Sequence, residues 1–256
     1  MKARSRWETI LASYSDEKRR WDRTYPSIAY IYRPASLFVC WLLPARVTAN
    51  ELTLLSYLVS LASLLLLVHG SFAGLLTGSI LLVLFSLLDC VDGALARLRG
   101  TSNALGRFLD GLAAPAFVLP YFALGIGLAR AAGSGQGEFI LAVGAATTIL
   151  KLLVPQIRQS FHLCFGEVWE EDKRARHATG HAGRWYYRLY YNLTDLQGHD
   201  VVLLLAVLAG QAEAFLLVSF AVSALDLGAV LALYLRRAWR LGARSGKASG
   251  HWHGAD

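Results

Sequence analysis

Long apolar runs separated by short polar loops dominate the sequence, and they leave few folds open. The hydrocarbon core of a bilayer is about 30 Å thick, so a helix that crosses it needs about 20 apolar residues. Stretches of suitable character run over 51–68, 72–88, 105–128, 139–161, 196–210 and 215–234. With 55% hydrophobic and 17% charged residues in 256, and a mean hydropathy of +0.42, the chain has too little polar surface for a water-soluble enzyme. The expected fold is all-α: a polytopic membrane helix bundle of about six transmembrane helices, preceded by an N-terminal interfacial helix.

Local signals punctuate this plan. Thr48 or Asn50 can cap the first span. His69-Gly70-Ser71 turns the chain into the second, which continues as helix through the polar stretch 89–97. Pro115 and Pro120 are positions where the third span can kink. Residues 27–44 are apolar but broken by Arg33, Pro34 and Pro44, which predicts a helix lying along or dipping into the interface. Upstream, Trp7, Ile10, Leu11, Tyr14 and Trp21 alternate with charges, so residues 1–26 read either as an interfacial amphipathic segment or as a polar tail. They hold no apolar core of the kind a cleavable signal peptide needs. Residues 162–195 form the longest polar segment, and Trp169, Trp185, Tyr186 and Tyr190 suit it to lipid headgroups. The expected organisation is an N-terminal and interfacial segment over 1–45, a transmembrane catalytic domain over 46–238 and a tail over 239–256.

Twenty-five Lys and Arg against 18 acidic residues give a net charge of +7. The excess lies between apolar runs, as in Lys18, Arg19, Arg20 and Arg23 or Arg236, Arg237, Arg240 and Arg244, which favours lipid headgroups over nucleic acid as its partner. The loops on one side hold most of these cations, and those on the other hold only Arg130. The positive-inside rule then predicts cytoplasmic termini and a cytoplasmic active site. Cys40, Cys90 and Cys164 are odd in number and widely spaced, which supports neither a disulfide framework nor a CxxC metal site and predicts buried thiols.

Three carboxylates carry the chemistry. Asp89, Asp92 and Asp110 fall at or just inside the ends of apolar helices, where an uncompensated charge costs several kcal/mol. Asp89 and Asp92 share a helix face, and the short following loop lets Asp110 meet them. Together they make a hard-oxygen site suited to Mg²⁺ or Mn²⁺. The plainer alternative is salt bridging to Arg97, Arg99 and Arg107. Gly93 and Gly106 either admit a ligand to the backbone or simply allow close helix packing.

The stretch Asp89-Cys90-Val91-Asp92-Gly93-Ala94-Leu95-Ala96-Arg97, then Gly106 and Asp110, resembles the CDP-alcohol phosphotransferase signature D-x-x-D-G-x-x-A-R-x8-G-x3-D-x3-D, matching seven of its eight specified positions. Thr48-Ala49-Asn50-Glu51-Leu52-Thr53 is similar to the family's T-P-N-x-L-T, and the six-span plan agrees. The resemblance implies attack of an alcohol oxygen on the β-phosphorus of a CDP-linked donor, with release of CMP, in phospholipid or related phosphodiester synthesis. It also implies that Asp89, Asp92 and Asp110 hold metal, that Gly93, Ala96, Arg97 and Gly106 face the nucleotide, and that the enzyme is a homodimer in contact with membrane lipids. Arg97 read by itself serves equally as a side chain snorkelling to the interface.

One position departs from the signature. Its last Asp, the general base by resemblance, is replaced by Ala114. An engineered substitution, a natural homologue with a different base, and a protein that has lost activity all fit. Lys151 and Arg158 lie two turns apart on one face of the fourth span, where they hold an acceptor or lipid phosphate, pair with Asp226, or snorkel. His177 and His181 lie in an exposed context with Gly180 between them, which disfavours a metal site, and His251 and His253 read as tail sequence. Competing readings are an inactive membrane scaffold, kept open by Ala114, and an intramembrane prenyltransferase, disfavoured by the Gly93, Ala96, Arg97 and Gly106 pattern. A transporter is disfavoured because the carboxylates gather at one end of the spans rather than at the midplane.

Overall fold

The computed structural model describes residues 6–23, 25–44, 46–101, 104–133, 135–178 and 196–249. Among them every regular element is helical: α1 (Arg6–Ser13), α2 (Asp16–Asp22), a π-helical turn (Ile28–Tyr32), α3 (Arg33–Leu42), α4 (Ala49–His69), α5 (Phe72–Arg99), α6 (Ala104–Ala132), α7 (Gln136–Ala178), α8 (Leu196–Leu208) and α9 (Ala212–Ser249). Stretches within α4, α5, α6, α7 and α9 are long and apolar enough to cross a membrane. The chain is therefore an all-α, polytopic membrane-type bundle.

The helix starts follow the sequence signals. Thr48 caps α4 in a reciprocal capping box: its hydroxyl accepts from the Glu51 amide at 3.3 Å, and its own amide donates to Glu51 Oε2 at 2.8 Å. Asn50 lies inside the first turn instead. Gly70, at φ 77°, ends α4 and lies so close to Gly127 of α6 that a side chain on either would strike backbone. Ser71 then caps α5 by accepting from the Gly74 amide at 3.1 Å.

In lipid the hydrophobic effect does not drive helix association, so small residues and interhelical hydrogen bonds must bring the helices together. The buried face of α4 reads Leu52, Ser56, Ser60, Ser63 and Leu67, and Ser63 donates to the Gly78 carbonyl of α5 at 2.8 Å. The opposite face exposes Leu54, Leu58, Leu61 and Leu65, as a bilayer-facing surface does. Because α4 packs on both α5 and α6, it stands behind the two helices that carry the acidic motif. Helix α8 packs on the other flank of α5, while α7 packs on α6 and α9. The Phe85 and Phe117 rings meet across the gap between α5 and α6, with centroids 4.6 Å apart.

Several expectations change. The expected fifth span is described as α8 from Leu196 to Leu208, and the residues before it fall outside what is described. The polar segment after residue 162 is helical as far as Ala178, with one non-helical residue, Phe165 (φ −134°, ψ 33°), dividing α7. The side chain of Trp169, and residues Trp185, Tyr186 and Tyr190, fall outside what is described. Cys40 and Cys90 are buried thiols, but Cys164 is exposed, because it lies on the outer face of α7 near that break. Upstream, α1 and α2 are folded and docked rather than a loose tail: Ile10 is buried, and Arg6 donates to the carbonyls of Cys40, at 3.3 Å, and Leu43.

Candidate active site

The acidic motif occupies the last turns of α5, before Gly100 closes the helix with φ 64°. Asp89 and Asp92 are one turn apart. Asp92 is buried, with 9% exposure, and its Oδ2 accepts the Thr53 hydroxyl of α4 at 2.6 Å. Asp89 is half-buried beside it. Thr53 ends the Thr48–Thr53 stretch that the sequence marked, and its contact gives that stretch a physical role: the helix it starts orients a motif carboxylate. Tyr57, one turn further along α4, donates to the Leu109 carbonyl and ties down α6 next to residue 110.

The side chains of Asp110, Ala114 and Arg107 fall outside what is described, so only the backbone of α6 speaks for them. Phe85 and Phe117 set the register of the two antiparallel helices. Counting outward from that pair places position 110 level with Asp92, and position 114 about level with Asp89.

Arg97 is exposed, and its guanidinium lies back over Gly93. A Cβ on Gly93 would stand 3.4 Å from Arg97 Nη1, an ordinary contact with the end of a flexible side chain. Ala96 and Gly106 are half-buried, the latter at the start of α6. Arg99, considered above as a partner for the carboxylates, donates instead to the carbonyls of Val47 and, at 3.1 Å, Pro44, clamping the link between α3 and α4.

A second charged cluster holds the N-terminal helices beneath this end of α5. Asp22 is fully buried; it accepts from Arg33 Nε at 2.7 Å and from the Tyr14 hydroxyl at 2.8 Å, and Lys18 Nζ lies 3.1 Å away. Burial alone would raise the Asp22 carboxyl, but the Arg33 hydrogen bond and charge, with Tyr14 and Lys18, outweigh it and hold the group below its ordinary range. Burial and the bond to Asp22 push the Tyr14 phenol the other way, to about 12. Sequence reading treated Arg33 only as an interruption of an apolar run.

Deeper in the bundle lies a third polar group. Asp200, 6% exposed on α8, accepts the Ser86 hydroxyl of α5. The neighbouring His199 hydrogen-bonds Tyr121 of α6, whose ring carries the buried Lys151 ammonium at 4.8 Å from its centroid. The polar side chains therefore do not all gather at one end, and the argument made above against a transporter loses that support. Lys151 thus engages α6, while Arg158 lies 3.9 Å from Asp226 of α9, the partner foreseen as an alternative. His199 and Asp200 went unremarked in the sequence; two ionisable residues at the head of the apolar run 201–208 were the available signal. His181 and the side chain of His177 fall outside what is described.

Residues 46–165, which span α4, α5, α6 and the membrane part of α7, match the family model described as CDP-alcohol phosphatidyltransferase. No curated protein sequence matches the chain.

Proposed function

From a chain that carries a CDP-alcohol phosphatidyltransferase domain over residues 46–165, we propose an enzyme that transfers a substituted phosphate from a CDP-linked donor to an alcohol acceptor and releases CMP. Phospholipid or related phosphodiester synthesis is the reaction's setting. The observation that carries this reading is the Asp89–Asp92 pair on α5, with Asp92 oriented by Thr53 and Arg97 laid over Gly93 one turn further out.

Asp89 and Asp92, with Asp110 at the matching level of α6, offer hard carboxylate oxygens and so fit Mg²⁺ or Mn²⁺. Such an ion would neutralise charge that develops on the leaving CMP. The chain's own residues do the rest. Gly93 and Gly106 leave backbone open to the nucleotide, Ala96 keeps that wall low, and Arg97 supplies a fixed positive charge for the cytidine phosphate. Lys151, held over Tyr121, faces the acceptor's anionic group, and Arg158 supports it from the neighbouring turns. In the same reading residues 46–238 are the catalytic unit, the site and both termini are cytoplasmic, and the enzyme works as a homodimer among membrane lipids.

The test is CMP release by purified protein given CDP-diacylglycerol or, separately, soluble CDP-alcohols, against a panel of alcohol acceptors. Release that needs both a divalent ion and an acceptor is expected. Metal-dependent CDP binding without release under any pairing would favour the inactive scaffold that Ala114 keeps open.

A further inference from the structure

The two arms of the acidic motif are not held equally. Asp89 and Asp92 stand on the last turns of α5, where Cys90, Val91, Ala94 and Leu95 are buried around them. Asp110 stands on a stretch of α6 with far less support. Among the described side chains from 104 to 117 none is fully buried, whereas Val118, Tyr121, Ala123 and Leu124 further inward all are. We infer that Tyr57 of α4 is the positioning residue that sets Asp110 against Asp92, and with it the carboxylate separation on which the choice of divalent ion depends. This rests on the metal assignment in the phosphotransfer reading and deepens it.

The sequence of α6 explains why an outside anchor is needed. Phe117, packed on Phe85 of α5, lies seven residues inward of position 110, about 10.5 Å along the axis. Between them stand Gly111 and Pro115. Proline has no amide hydrogen, so the Gly111 carbonyl lacks its usual helical partner, and glycine has the widest backbone freedom of any residue. Another glycine, Gly106, stands one turn outward of Asp110. The register that Phe117 sets is therefore passed on poorly to position 110.

Tyr57 makes up for this. Its hydroxyl donates to the Leu109 carbonyl, and that carbonyl and the Asp110 amide belong to one planar peptide unit, which ends at the Asp110 Cα. Tyr57 is half-buried on α4, a helix whose start is fixed by the capping box of Thr48 and Glu51. It comes one turn after Thr53, which holds Asp92, and residues four apart share a helix face. Helix α4 thus holds the α5 carboxylate by one hydroxyl and the α6 backbone by another, fixing the two against each other. Separation matters to the ion. Mg²⁺ demands short, regular coordination, whereas Ca²⁺ accepts longer and less regular contacts. A site held at fixed separation favours the smaller ion, and one allowed to spread loses that preference.

Tyr57→Phe in the full-length protein removes the hydroxyl and keeps the ring. Mn²⁺ binding in the presence of CDP, followed by the free-ion paramagnetic signal, should weaken by about 10- to 100-fold, the scale for removing a ligand's supporting hydrogen bond. Mg²⁺ and Ca²⁺, each used to displace Mn²⁺, should report a preference for Mg²⁺ in the parent that narrows by about threefold or more in the variant. A loss of folded protein lowers the number of sites and leaves that ratio alone. Gly111→Ala should restore part of the affinity to Tyr57→Phe by stiffening the stretch itself, since a Cβ at Gly111 meets nothing within 4 Å. The inference is overturned if Tyr57→Phe binds Mn²⁺ as the parent does, if its Mg²⁺ to Ca²⁺ ratio equals the parent's, or if Gly111→Ala restores nothing. A parent that binds no Mn²⁺ in the presence of CDP would instead fell the metal assignment, and this inference with it.

Discussion

Asp22 and Asp92 are both buried carboxylates near the same end of α5, yet their surroundings differ in kind. Asp22 lies against the Arg33 guanidinium and the Lys18 ammonium, with a phenol completing the cage. Asp92 receives a hydroxyl from Thr53. A buried ion pair makes a carboxylate a fastener, whereas the Thr53 hydroxyl fixes the direction in which the Asp92 carboxylate points. The first arrangement docks α1 and α2 under the bundle. The second sets the direction of a motif carboxylate from the neighbouring helix α4, and Ser86 donates to Asp200 of α8 in the same manner.

Substitutions should separate the two kinds. Asp92→Asn keeps the Thr53 contact and removes the charge. CMP release is expected to fall about 10³-fold, the scale of several kcal/mol of lost electrostatic stabilisation, with little change in the thermal midpoint in detergent. Asp22→Ala should do the reverse. It leaves Arg33 buried without its counter-charge, at a cost of about 3–5 kcal/mol in unfolding free energy, and Arg33→Met in the same chain should recover much of the loss. A large stability loss in Asp92→Asn, or none in Asp22→Ala, would break the comparison.

Smaller effects sharpen it. Thr53→Val leaves the Asp92 charge but frees its direction, so metal affinity should weaken by about 10- to 100-fold, as it does when a ligand's supporting hydrogen bond is removed. Acidity should act on the N-terminal dock first. The folded Asp22 carboxyl lies below its unfolded value of about 3.9, so its contribution is complete above that value and is lost as pH falls through the folded one. Hydrogen exchange should show α1 and α2 losing protection on that descent while the core of α4 keeps it. Tyr14, raised to about 12, has the opposite sign: its contribution is present below about 10 and fades as pH climbs toward the folded value.

How far the sequence could be read depended on whether a feature is local. The boundaries of α4 and α5 were legible because capping residues, a turn glycine and unbroken apolar runs act over a few neighbouring positions. Asp89 and Asp92 were legible for the same reason: their spacing fixes a common helix face. Within helix α8, His199 and Asp200 meet Tyr121 and Ser86, partners that lie far away in the sequence. The pairing of Asp22 with Arg33, and of Ser86 with Asp200 across more than a hundred residues, leaves no periodic trace. Such contacts exist only once the chain has packed.

The central claim is that the motif carboxylates of α5 and α6 bind a divalent ion together with a cytidine nucleotide. Free Mn²⁺ followed by its paramagnetic resonance signal, in protein titrated with and without CDP, tests it most directly. The account predicts that the parent protein depletes the free-ion signal, more strongly when CDP is present, and that Asp89→Asn, Asp92→Asn and Asp110→Asn each abolish that depletion. Undiminished Mn²⁺ binding in all three variants, or binding by the parent that CDP does not strengthen, would contradict it.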